Sequence, residues 1–95
     1  MSTEQFSATL ESAGGGGAFV EIPAAVLTRL GGGSRFRVRG RVNGVDFASS
    51  TMGMGGGRVA LGVHKATRQA ASVEIGDVIA VAIQREPAPA RPSRP

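Results

Sequence analysis

Apolar and polar residues alternate with a period of two along much of the chain, the spacing of strands with one buried face. From Gln5 to Glu11, Phe6, Ala8 and Leu10 fall on one side and Ser7 and Thr9 on the other. Ala18 to Ile22 forms a second strand, expected as the hairpin partner of the first. Arg58 to Val63 is another, with Val59, Leu61 and Val63 on one face. The clearest stretch is Arg35 to Ser50. There Arg35, Arg37, Arg39 and Arg41 alternate with Phe36, Val38, Gly40 and Val42, which predicts a ladder of arginines on one face and an apolar face opposite. Asn43-Gly44 supplies the pair of positive φ angles a type I′ hairpin turn needs, and Val45 to Ser50 returns antiparallel. Val78 to Ile83 is apolar on both sides, which predicts a central strand covered on both faces.

Helical spacing is confined to two short stretches. Ala24 to Leu30 follows Pro23 and places Val26, Leu27 and Leu30 on one side before Gly31-Gly32-Gly33 ends it. His64 to Ala71 is the second candidate. Two glycine runs, Gly14 to Gly17 and Met52 to Gly57, read as flexible connections between strands. Residues 18–42 and 59–83 share one order of strand, helical turn, small-residue turn and strand, with Arg29 and Arg68 late in the helices. Two such units would interlock into a small closed barrel, each helix plugging an end. The fold class expected is therefore mainly β, a small closed double-split β-barrel of about six to seven strands with two short helices. Residues 1–85 make up the barrel domain. From Glu86 the text becomes EPAPARPSRP, expected as a disordered proline- and arginine-rich tail.

Composition narrows the chemistry. Ninety-five residues make one domain with a modest core. The four aromatics are all Phe, so Val, Ile, Leu and Ala must fill that core. Absence of cysteine rules out disulfides, thiolate metal sites and a thiol nucleophile. The first residues carry neither the basic start nor the apolar core of a signal peptide, and no run approaches the ~18–20 apolar residues of a membrane span. A cytoplasmic protein is expected. The net charge of +4 rests almost wholly on arginine. Arginine, alanine and glycine share GC-rich codons, so the clustering of charge says more than its total.

The succession F-x-A-x-L, FVEIP, a helix, RFRVRGRVNGVDF, a glycine loop, HKATRQA and GDVIAVAI resembles the DUF1905 family over about residues 6 to 85. That resemblance implies a double-split β-barrel, distantly like the swapped-hairpin AbrB and MazE proteins, with both halves held in one chain. The segment VALGVHKATRQAASVEIGDVIAVAI is itself similar to an AbrB unit, but carries Val63-His64 where those sequences have an apolar residue and Pro. Ile22-Pro23 keeps that step in the other copy. The family's function is unknown, so the resemblance implies a fold and little chemistry.

Two kinds of site are consistent with the residues. Ser49, Ser50, Thr51, Arg58 and His64 would form a polar lip for a small ligand, peptide or protein partner at a barrel end. Alternatively, Arg35, Arg37, Arg39 and Arg41, with Lys65 and Arg68, would contact nucleic-acid backbone. Guanidinium forks suit phosphate, and the ladder spacing of about 6.5–7 Å is comparable with successive phosphates. The ladder is equally the solvated face of a barrel strand, shielded by acidic neighbours, and no exposed aromatics are interleaved for base stacking. The glycine run before Arg58 lacks the Lys-Ser/Thr of a P-loop and leads into a strand. A lone His64 builds no metal site, and the acidic residues show no paired pattern for acid–base work. The expectation is a monomeric, non-catalytic binding module without cofactor or metal, with nucleic-acid binding as the alternative.

Overall fold

A computed structural model describes residues 3–86. It contains β1 (Glu4–Thr9), β2 (Glu11–Gly14), β3 (Gly17–Glu21), α1 (Ala24–Arg29), β4 (Arg37–Val42), β5 (Val45–Gly55), β6 (Arg58–Gly62), α2 (Lys65–Ala71) and β7 (Val78–Arg85). The seven strands are antiparallel, lie in the order β1-β7-β4-β5-β6-β3-β2, and curl into a half-barrel. Closure comes from the chain and not from a further ladder: β2 continues β1 with Leu10 alone between them. Glu4 to Thr9 pair with β7, whereas Glu11 to Gly14 pair with β3. The expected hairpin of Ala18 to Ile22 forms, but with Glu11 to Gly14; the expected partner stretch Phe6 to Leu10 goes instead to β7, so the first strand is one bent strand shared by two sheets. β5 bends in the same way, giving Val45 to Ser50 to β4 and Thr51 to Gly55 to β6.

Both bends follow from a single duplication. Each residue of the first half has its counterpart 41 positions later, without gaps: Phe6 with Phe47, Leu10 with Thr51, Gly40 with Val81. The ladders obey the rule. Gly40 faces Ile83 across β4 and β7, and its mirror pairing is Val42 with Val81; Phe19 faces Gly62 where Glu21 faces Ala60. Single hydrogen bonds repeat too. Ile22 N donates to Val59 O at 2.9 Å and Val63 N to Ala18 O at 2.9 Å. The order of strands therefore reads the same from either end, with β7 and β4 central in one four-stranded sheet and β6 and β3 in the other. The duplication also shifts one expected equivalence: Arg68 of α2 answers to Leu27 of α1, not to Arg29.

The core lies between the two sheets. Leu10, Val20, Val38, Val42, Leu61, Val63, Ile79, Val81 and Ile83 are fully buried, with Phe36 and Phe47 alongside. Alternation accounts for most of it, since these residues occupy the inward positions of their strands. β7 departs from its expectation. It is central within its sheet, but only Ile79, Val81 and Ile83 are covered, while Val78 is 68% exposed and Ala80 faces outward. Neither helix packs over that side. Both glycine runs are tight hairpins and not slack connections. Gly15-Gly16 and Gly56-Gly57 form two-residue turns with positive φ throughout, a conformation that, apart from Asn and Asp, only glycine adopts cheaply. Gly55 shares that backbone at φ +88°, so its glycine is required by conformation. Asn43 and Gly44 have the expected positive φ, 49° and 86°. No helix among the described residues is long and apolar enough to cross a membrane. Glu86, expected to start the tail, donates its N–H to Arg37 O at 2.9 Å; residues 87–95 of that expected tail lie outside the described residues.

Candidate functional site

The five lip residues do not converge. Ser49 and Thr51 sit at the bend of β5, 4% and 2% exposed. Ser49 Oγ donates to Gly62 O at 2.7 Å. Thr51 Oγ1 accepts from Phe36 N at 2.9 Å and lies 3.2 Å from Ser34 O, toward which it can donate. Both hydroxyls are consumed in joining the two sheets. Ser50 points the other way, onto the arginine face, where Arg37 Nη1 approaches it at 3.5 Å. His64 is exposed at the N-cap of α2 and makes no side-chain cap hydrogen bond. Arg58 leaves the β5–β6 turn and is held by Glu21 of β3 through two hydrogen bonds of 2.9 and 2.7 Å. Those bonds from Arg58, helped by its charge and opposed by slight burial, hold the Glu21 carboxyl below the usual glutamate value. The same pairing pushes the Arg58 guanidinium up.

The arginine ladder is shorter than expected. Arg35 lies in a bend before β4, leaving Arg37, Arg39 and Arg41 on the strand's outer face. Arg41 pairs with Asp46 across the hairpin at 2.9 Å and Arg37 stands 3.7 Å from Glu86. Arg39 has no carboxylate partner among the described residues. Lys65 is exposed at the start of α2. Arg68 is turned inward, donating to Val63 O at 3.3 Å and to Gly16 O at 2.9 Å. It clips α2 to the tip of the β2–β3 hairpin. Arg58 and Arg68 are thus held by partners away from the ladder, Glu21 and the backbone of Val63 and Gly16.

At the opposite end the clip is missing. Leu27 stands where the duplication puts Arg68, and a cleft of about 560 Å3 opens between α1, the loop after it and the β5–β6 hairpin. Leu27, Gly33, Ser34, Gly53, Gly57 and Arg58 line it. Its far wall is close-fitting, since a β-carbon at Gly53 would lie 3.2 Å from Ser34 Cβ. The loop is fixed from behind by Arg85, whose Nη1 donates to Gly32 O at 2.8 Å and Leu30 O at 3.3 Å while its guanidinium stacks 4.2 Å from the Phe36 ring centre. Sequence reading found Arg58 and the glycine arm and rightly set Leu27 toward the core, against which it packs half-buried, but gave Gly33, Ser34 and Arg85 no part. The signal was present: the 41-residue offset sets Leu27 against Arg68, and Gly33-Ser34 against Glu74-Ile75.

These features define a class: an internally duplicated, mainly β half-barrel with a depression at each end, only one of which, beside α1, runs on to the neighbouring hairpin. Residues 6–83 match DUF1905, a domain of unknown function, and the chain belongs to that family. No curated protein matches the sequence.

Proposed function

We propose that this domain is a non-catalytic binding module that takes a small ligand or a short peptide segment in the cleft at the α1 end. One observation carries the reading. The two ends are built from the same backbone plan and each carries a depression, but the one beside α2, about 450 Å3 against Arg68, Glu74 and Ile75, stops short of the β2–β3 hairpin that Arg68 bridges, whereas the one beside Leu27 runs on to the β5–β6 hairpin. The lining suits a polar main chain. Gly55, Gly56 and Gly57 meet no neighbour within 4 Å of their absent β-carbons, so no side chain covers that side of the hairpin where an extended ligand would lie. Leu27 supplies an apolar wall. Arg58 commits two of its five N–H donors to Glu21 and keeps the others for an acceptor on the ligand.

Both halves of the barrel come from one chain, which supports a monomer. AbrB-like contact with nucleic acid through Arg35, Arg37, Arg39, Arg41, Lys65 and Arg68 is the weaker reading. Carboxylates accompany Arg37 and Arg41, and Arg68 is spent inside the molecule. The test is an amide chemical-shift screen of the protein against a peptide and fragment library. Shifts are expected at Gly33, Gly53 and Gly57, and should vanish in Leu27→Arg, which rebuilds the clip. Hits that map around His64, or that persist in Leu27→Arg, overturn the proposal.

A further inference from the structure

The duplication is broken a second time, on the outer face of the sheet formed by β1, β7, β4 and the first half of β5. Equivalent outward positions carry Arg37, Arg39 and Arg41 on β4 but Val78, Ala80 and Ala82 on β7. The two strands run antiparallel, so Arg41 stands beside Ala82 and Arg39 beside Gln84, while Asn43 lies beside Ala80; the floor is small at Ala80 and Ala82, and its β4 wall is formed by Arg41 and Arg39. Gln5 and Ser7 of β1, opposite Ala82 and Ala80, form the other wall. Two depressions of about 420 and 580 Å3 follow this line and share Gln5, Arg41 and Ala82. They make one trough along the strand.

We propose that this trough docks an extended acidic polypeptide segment, a surface distinct from the cleft at the α1 end. The shape comes first. The floor is a strand face one side chain below its walls, which accommodates an extended chain and is too shallow for a helix of about 10 Å diameter. Small outward residues on β7 let the incoming backbone approach closely, and Gln5 and Ser7 offer hydrogen-bond partners along its edge. Charge selects the partner. Arg39 has no carboxylate among the described residues. The Arg41–Asp46 pair is exposed on both sides, 66% and 86%, so an incoming carboxylate can share or replace Asp46 at small cost. A glutamate of the partner thereby gains a charge-assisted contact with Arg39, which no carboxylate among the described residues makes.

The same count disfavours a polyphosphate. Three ladder arginines face Asp46 and Glu86, a surplus of one positive charge. None of the four phenylalanines is exposed for base stacking.

The experiment titrates the full chain with a short peptide alternating Glu and Ala, the matching Lys–Ala peptide, and an oligothymidylate of similar length. The Glu–Ala peptide should bind at low salt, and Arg39→Gln should weaken it roughly tenfold, the loss of one charge-assisted hydrogen bond. Arg29→Gln, the same charge change on α1, should leave it unaltered. The decisive variant is Ala82→Lys, with Ala80→Lys as a second in case the first melts early. Each fills the trough while adding positive charge. Weaker peptide binding in a folded variant supports docking in the trough; tighter binding means diffuse electrostatics and overturns it. Binding of the oligothymidylate with none of the peptide, equal binding of both peptides, or no binding by any probe also overturns it.

Discussion

Gly40 is the glycine with the least room in the molecule. A β-carbon there would lie 1.8 Å from Ala82 O and 2.8 Å from Ile83 Cα, because β4 and β7 cross closely at that point. Gly44 differs: its surroundings are open, but its φ of +86° is costly for any other residue. Gly40→Ala should therefore lower the melting temperature by more than about 10 °C, through overpacking against backbone that cannot yield. Gly44→Ala should cost about 1–2 kcal/mol through backbone strain alone. Thermal melts that reversed this order would contradict the β4–β7 contact. A second residue-scale expectation concerns pH. Hydrogen bonding to Arg58 depresses the Glu21 pKa, so the stability it contributes is complete above the ordinary glutamate range and lost as pH falls through the folded value. Glu21→Gln should melt below the parent protein at neutral pH, and the gap should close in acid. A gap that widened on acidification would mean the pairing does not act as drawn.

Among the elements, β5 carries the most information, because one strand serves both sheets and Thr51 sits at the turn between them. Its hydroxyl takes the Phe36 N–H at 2.9 Å, while its own N–H donates to Phe36 O at 2.9 Å. Thr51→Val keeps the shape but leaves the buried Phe36 N–H unmatched, which should cost about 1–3 kcal/mol in denaturant unfolding. Ser50→Ala, one residue away on the exposed face, should stay within about 0.5 kcal/mol. Ser-Ser-Thr reads in sequence as polar residues leaving a strand. Alternation places Ser49 and Thr51 on the inward side with Phe47, but nothing local announces that the partners awaiting them are Gly62 and Phe36. α2 gives a parallel case. Arg68→Ala should speed amide exchange at the β2–β3 turn, around Gly16 and Gly17, more than it lowers global stability, since the clip ties a hairpin and not the core. Uniformly faster exchange throughout the chain would assign Arg68 to the core instead.

At the scale of the molecule, the two halves of the duplication are joined by β1–β7, β4–β7, β4–β5 and β3–β6, and by the chain at the Asn43-Gly44 turn. Neither half contains both partners of its central ladders. Separately produced segments 1–44 and 45–95 should each lack fixed structure or self-associate, and an equimolar mixture should recover the strand signal of the intact protein in circular dichroism. A stable monomeric half would refute the interlocked arrangement. What the sequence determined alone was whatever depends on neighbours along the chain. The period-two alternation set the strands and the inward residues Val38, Val42, Leu61 and Ile83; Asn43-Gly44 set the hairpin turn; Pro23 and the glycines bounded α1. Tertiary structure decided what depends on which segments meet. Pairing with β7 on one side of Leu10 and with β3 on the other splits the first strand, a choice no local pattern encodes. Lateral pairing satisfied the backbone of β7 without covering its second face, since hydrogen bonding and burial are separate requirements. And the α1 cleft runs on to its hairpin because Leu27 occupies the place from which Arg68, in the other copy, reaches a hairpin 52 residues away in sequence.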